Sequence, residues 1–183
     1  GIPAPQTITS NLQEIELLYE ANRAMLRTQD IMDVLRVLRT NLAPDAAVIA
    51  LVGIEYAPND RNRITGVMLD YEVTPGQERV MHEPITTNER VYRDIYQFLR
   101  GLQGNVLFSP QGSAVTNNPL SLMGNRYTYE SHVTLLLRER GQIAGLIYLL
   151  FDTPKPLLDS TRQLYEAISD QVAIAVENQK LLR

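Results

Sequence analysis

The spacing of apolar residues changes several times along the chain, and each change marks an element. From residue 12 to 28 the pattern is helical and apolar nearly all round. Leu12, Ile15, Leu17, Leu18, Tyr19, Met25 and Leu26 leave only a narrow polar stripe of Gln13, Glu16, Glu20, Arg23 and Arg27. Ser10 or Asn11 is placed to cap this helix, and residues 1–9 read as a disordered lead-in or tag remnant. A helix that only covers a sheet needs an apolar arc of roughly 100°. The surplus, carried by Leu17, Leu18 and Met25, predicts a second contact surface. Asp30 is a good N-cap for a second helix, with Ile31, Val34, Leu35 and Leu38 on one face and Arg36 and Arg39 opposite. It must end by Pro44, because the residue before a proline is pushed out of the helical region.

Beyond it the helical period disappears. Residues 46–56 (AAVIALVGIEY) are β-rich and nearly uncharged, the pattern of a central strand covered on both faces. After a turn at 57–60, residues 63–73 form a second strand carrying Ile64, Val67, Leu69, Tyr71 and Val73, stopped by Thr74-Pro75-Gly76. Thr86-x-x-Glu89 has capping-box spacing. It opens a third helix with Val91, Ile95, Phe98 and Leu102 as its stripe, ending at Gly101 or Gly104. Residues 105–130 are irregular and rich in Ser, Asn, Gly and Pro. A hairpin follows, 131–139 and 142–152, with Gly141 supplying the positive φ of its turn. A long helix over 157–182 closes the chain, with Leu164, Ile168, Val172, Ala175, Val176 and Leu182 inward and Glu166, Asp170, Glu177 and Lys180 outward.

Composition narrows the function classes. The 183 residues fit one domain. Net charge is −4, and the 15 arginines are scattered among acids from Arg23 to Arg183, a solvated surface with no nucleic-acid groove. The chain has no cysteine, which excludes disulfides, thiolate metal sites and cysteine nucleophiles. No apolar run approaches the roughly 20 residues of a membrane span and no signal peptide is visible, so a cytoplasmic protein without membrane contact is expected. The start Gly1-Ile2-Pro3 reads as a domain cut from a longer protein, with Gly1 a cloning remnant.

The chemistry-bearing residues point away from catalysis. His82 and His132 are the only histidines, and neither has further ligands at metal spacing. His82 reads as a surface-loop residue and His132 as an imidazole at a pocket edge. Asp30/Asp33 and Glu55/Asp60 fit capping and turn roles better than an acid–base dyad. Ser109, Ser113 and Ser131 lack a nucleophile elbow, and the glycines of 101–112 lack the strand and helix that flank a phosphate loop. No enzyme activity, metal or cofactor is expected. Nine tyrosines stand against three phenylalanines. Either they pack their rings with hydroxyls in water, or some line a cavity as donors.

The order helix, helix, two strands, helix with loop, hairpin, helix resembles a GAF domain over nearly the whole chain. The likeness is carried by Gly141-Gln-Ile-Ala-Gly-Leu-Ile-Tyr-Leu-Leu, then Leu157-Leu-Asp, then the run 170–181 (DQVAIAVENQKL). It implies an α+β, profilin-like fold: a central antiparallel sheet, N- and C-terminal helices on one face, and a helix and loop on the other. It also implies a regulatory role in signalling, as in multi-sensor histidine kinases of two-component systems. Members that bind cyclic nucleotides carry an Asn-Lys…Phe…Asp-Glu signature, of which this chain has only Phe151-Asp152. Members that attach a bilin or reduce methionine sulfoxide do so through cysteine.

Strand parity then indicates a site. On 131–139, Val133, Leu135 and Leu137 point one way, towards the terminal helices; His132, Thr134 and Leu136 point the other. The second face is where GAF ligands sit, and Tyr92, Tyr96, Arg126, Tyr127, Tyr129, His132 and Thr134 are the expected binding residues for a small, partly polar, non-covalent ligand. Ligand state would pass through the terminal helices to an output domain, with the chain a homodimer through those helices. The alternative is a ligand-free dimerisation or spacer module.

Overall fold

The computed structural model describes residues 5–86, 88–109, 126–156 and 158–181. Two helices, α1 (Pro5–Leu26) and α2 (Ile31–Asn41), precede three strands, β1 (Val48–Ala57), β2 (Asp60–Thr74) and β3 (Gln77–Thr86). Then come α3 (Glu89–Arg100), β4 (Val106–Ser109), the hairpin β5 (Ser131–Glu139) and β6 (Gln142–Phe151), and α4 (Asp159–Leu181). The six strands form one antiparallel sheet in the order β3-β2-β1-β6-β5-β4. The α+β architecture read from the sequence is the one observed.

Alternation along the strands divides the interior into two cores. One face carries Ile49, Leu51, Val133, Leu135, Leu137, Ile147 and Leu149 against α1, α2 and α4, where Ala21, Leu35, Leu38, Ile168 and Val172 are fully buried. The other carries Ala50, Val52, Leu136, Leu146, Tyr148 and Leu150 against α3. On β5, therefore, Val133, Leu135 and Leu137 meet the terminal helices and Leu136 the opposite side, as strand parity predicts.

One irregularity decides what the α3 face contains. Residues 67, 69, 71 and 73 of β2 share a parity, yet Val67 and Leu69 lie on the α3 side while Tyr71 and Val73 lie under the helices. The register slips between Leu69 and Tyr71, leaving Asp70 unpaired with β1 in a bulge. A bulge re-aims every later side chain, so Glu72 is turned onto the α3 face, where it is buried. Gly53 accommodates the bulge: a Cβ there would stand 2.6 Å from the Asp70 carboxylate.

Several local expectations are corrected. The first helix begins at Pro5, not at a Ser10 or Asn11 cap; proline suits a first helical position, where its missing N–H costs nothing. Residues 5–9 are thus helix, not lead-in. Met25 is core and Leu18 packs against the core. The apolar arc left outside on α1 is Leu12, Ile15, Tyr19 and Leu26, with Leu17 at its margin. Asp30 does cap α2, accepting from the Asp33 N–H at 2.8 Å, but Asn88, not Thr86, caps α3. The buried stripe of α3 is Tyr92, Ile95 and Leu99. Two edge strands were not predicted. β3 is rich in charge and holds Pro84, as edges often do, so His82 sits on a strand. β4 has only four residues. On α4, Ile168, Val172, Ala175 and Val176 are buried as expected, and Glu166 and Asp170 serve as acceptors for Asn105; Leu182 lies outside the described residues.

Candidate functional site

The register places a line of polar groups across the α3 face of the sheet. Arg79 of β3 pairs with Glu72, Glu72 with Ala50, Ala50 with Tyr148, and Tyr148 with Thr134. Cross-strand partners share a face, so these five residues form one row, with Ala50 as its small member. The rows beside it are apolar (Leu69, Val52, Leu146, Leu136) or end in His132 (Val48, Leu150, His132). Glu72, Tyr148 and Thr134 are all buried. A buried polar group costs about 1–3 kcal/mol unless it finds a partner, so such a row on an otherwise apolar surface has to be satisfied by its neighbours.

Glu72 is held from three directions. The Tyr127 hydroxyl donates to it. The Arg79 guanidinium stands 3.6 Å from Oε1 and that of Arg126 4.0 Å from Oε2. Arg126 also pairs with Glu83 at 3.0 Å and lies over the Tyr127 ring. Burial, then the Glu72 bond, raises the Tyr127 phenol well above its ordinary pKa. Tyr148 is raised too, by burial and then by Tyr129. Tyr129 meets the His132 ring edge-on at 5.7 Å, and His132 Nδ1 is 3.3 Å from the Thr134 hydroxyl.

The seven residues expected at the site fall into three groups. Tyr129 and Thr134 each contact His132. Arg126 and Tyr127 meet each other over Glu72. Tyr92 and Tyr96 lie apart, at a trough of about 460 Å3 between α3 and residues 62–65. There the Tyr96 hydroxyl donates to Asn62 Oδ1 at 2.8 Å, and burial followed by Glu55 raises the Tyr92 phenol. Tyr148 links the first two groups through its register and its neighbour Tyr129. Sequence reasoning missed Glu72 and Tyr148. Glu72 sits in a strand whose face cannot be assigned until the bulge at Asp70 is known, although a lone Glu between Tyr71 and Val73 was a visible anomaly. The face of Tyr148 depends on the pairing of β6 with β1 and β5. Among the described residues no group of three or more His, Asp or Glu is placed to hold a metal ion.

Burial lowers the His132 pKa below its ordinary 6.5. Above that pH both folded and unfolded states are neutral here and the full stability is present. As pH falls the unfolded chain takes up the proton first, so stability declines until the folded pKa is reached. His132→Gln should flatten this limb in urea denaturation between about pH 7 and 5. An equal decline in variant and wild type would show that His132 is solvated.

No protein-family model matches the sequence, and no curated protein matches it. Solved structures do match by shape. The GAF domain of an Acinetobacter phosphoenolpyruvate-protein phosphotransferase aligns with a TM-score of 0.64 at 10% identity, over 92% of this chain and 95% of that one. The chromophore-binding domain of an unusual bacteriophytochrome from R. palustris aligns with a TM-score of 0.65 at 11% identity, over 92% of this chain and 63% of that one. With the terminal helices on one side of the sheet and α3 on the other, this chain has the fold of a GAF domain.

Proposed function

We propose that the chain is a small-molecule-sensing regulatory domain of a cytoplasmic signalling protein, acting without catalysis of its own. The observation that carries this reading is the buried row of Glu72, Tyr148 and Thr134 with Tyr127, Tyr129 and His132 around it. Folding alone would be served as well by apolar side chains, as the adjacent Leu69-Val52-Leu146-Leu136 row demonstrates. Hydroxyls, an imidazole and a carboxylate with arginines suit a small, partly polar ligand held without a covalent bond. The site is one strand away from the exit helix: β5 carries His132 and Thr134 on one face and Val133, Leu135 and Leu137, under α4, on the other. A shift of β5 on ligand binding would pass to α4 and so to an output domain such as a sensor histidine kinase.

A thermal-shift screen with a metabolite panel tests this. A true ligand at a hundred times its Kd should stabilise the domain by about 2.7 kcal/mol, and Tyr127→Phe with His132→Leu should remove that gain while leaving the fold intact. Hits that stabilise wild type and variant alike, or no hit at all, would leave the spacer reading in its place.

The terminal helices support a homodimer. Leu12, Ile15, Tyr19 and Leu26 are between 57% and 84% exposed along one side of α1. With Asn22 they follow the alternating three- and four-residue spacing of a helix–helix seam. Exposed apolar area on this scale marks an interface, and a second copy through a two-fold axis is the commonest occupant. Sedimentation at high micromolar concentration should show a dimer that Ile15→Glu dissociates. A wild-type monomer would contradict the assignment.

A further inference from the structure

Arginines far apart in sequence meet at the hairpin end of the sheet. Arg61 of β2, Arg100 of α3 and Arg138 of β5 line one cavity of about 390 Å3, together with Tyr56, Tyr96 and Gln142, and no carboxylate lines it. Spread over the sequence these arginines read as solvated surface; folding gathers them. None of the three pairs with a carboxylate among the described residues, whereas Arg36, Arg79 and Arg126 all do. Arg61 donates to the Arg140 carbonyl at 3.1 Å. Arg138 donates to the Asn105 side-chain carbonyl at 2.8 Å and to the Leu102 and Gly104 carbonyls. These partners are neutral, so the charges stay uncompensated. Of the nearest acids in sequence, Asp60 accepts from the Asn62 N–H and Glu139 does not line this cavity.

The walls are fixed independently of any ligand. The Tyr56 hydroxyl donates to the Ile143 carbonyl at 2.6 Å, and Gln142 donates to the Arg61 carbonyl, clasping the two hairpins together. Burial, then Tyr96, raises the Tyr56 phenol to about 12, so it remains a neutral donor. A helix C-terminus attracts cations, which accounts for Arg138 over the carbonyls after α3. The same end accounts for Arg100, the last residue of α3, but not for Arg61 of β2 facing the same space. Like charges sharing a concavity repel one another unless an anion joins them, and guanidinium forks match carboxylate and phosphate oxygens.

We propose that this cavity binds a small oxyanion with two or more negative charges, of phosphate or carboxylate type, through Arg61, Arg100 and Arg138. The site is separate from the Glu72 row and does not depend on it. Occupancy has a path to the exit helix around the sheet edge. Arg138 holds Asn105, whose backbone N–H donates to Glu166 at 2.9 Å and whose side-chain amide donates to Asp170 at 3.2 Å, both on α4.

Inorganic pyrophosphate and, separately, succinate should be titrated into isotope-labelled protein at constant ionic strength, with sodium chloride as the control. Saturable NMR shifts are expected at Asn62, Gly141 and Gln142, with smaller ones at Glu166 and Asp170. The tighter of the two probes distinguishes a phosphate from a dicarboxylate site. Arg61→Gln with Arg100→Gln, both exposed and tolerant of change, should weaken binding by about a hundredfold, tenfold for each set of charge-assisted bonds lost. Glu72→Gln should leave it unchanged. Shifts that sodium chloride reproduces, an unaltered affinity in the double variant, or loss of binding in Glu72→Gln would each overturn the proposal.

Discussion

The pairing of β1 with β6, from Val48 opposite Leu150 to Gly53 opposite Gly145, is the constraint on which the rest of the domain depends. Both strands are covered on both sides, so each residue is committed to one core or the other. A slip of β6 by one residue against β1 would send Ile147 and Leu149 onto the face of the polar row and bring Tyr148 under the helices. Taking those buried apolar side chains out of their core is the mismatch that holds the register. Everything outward from this pair, including the face that β5 presents to α3, inherits its parity.

The bulge at Asp70 breaks that inheritance beside the candidate site. It turns Glu72 inward and Tyr71 and Val73 towards the helices. The result is a carboxylate in a position that simple alternation would have given to an apolar side chain. Desolvating such a group offsets most of what its ion pairs return, and apolar replacements of buried ion pairs are often neutral or stabilising. A sheet face that carries Glu72, Tyr148 and Thr134 in one row is therefore poorly explained by stability. The proposed binding role gives it a reason. The arginine-lined cavity shares part of this character: Arg61, Arg100 and Arg138 converge on one space that no carboxylate lines.

Much of the fold was legible because its signals are local. The Asp30 cap, the hairpin turn at Arg140-Gly141, the uniformly apolar β1 and the alternation of β5 each need only a few neighbouring residues, and the structure follows them. Glu78, Arg79, Glu83 and Pro84 hid β3, since edge strands avoid the apolar pattern that marks central ones. The site was legible only in part. His132 and Thr134 were assigned the correct face from parity, whereas Glu72 depended on a bulge and Tyr148 on the register of a partner strand. Tyr92 and Tyr96 belong to α3, whose true stripe is rotated by one residue from the predicted one, and they open onto a different trough. Arg61, Arg100 and Arg138 meet only through the strand order, which no short-range signal encodes.

The central claim is that the polar row is kept for binding and not for folding. Replacing Glu72 by Leu together with Tyr127 by Phe removes both ends of its strongest contact, and Arg79 and Arg126 are exposed enough to be rehydrated. Urea denaturation of this double variant is the most direct test. The account predicts an unfolding free energy equal to the wild type or higher, by up to about 4 kcal/mol. A loss of more than about 2 kcal/mol, the cost of breaking a structural network, would show that the row holds the fold together and would contradict the reading of this face as a binding site.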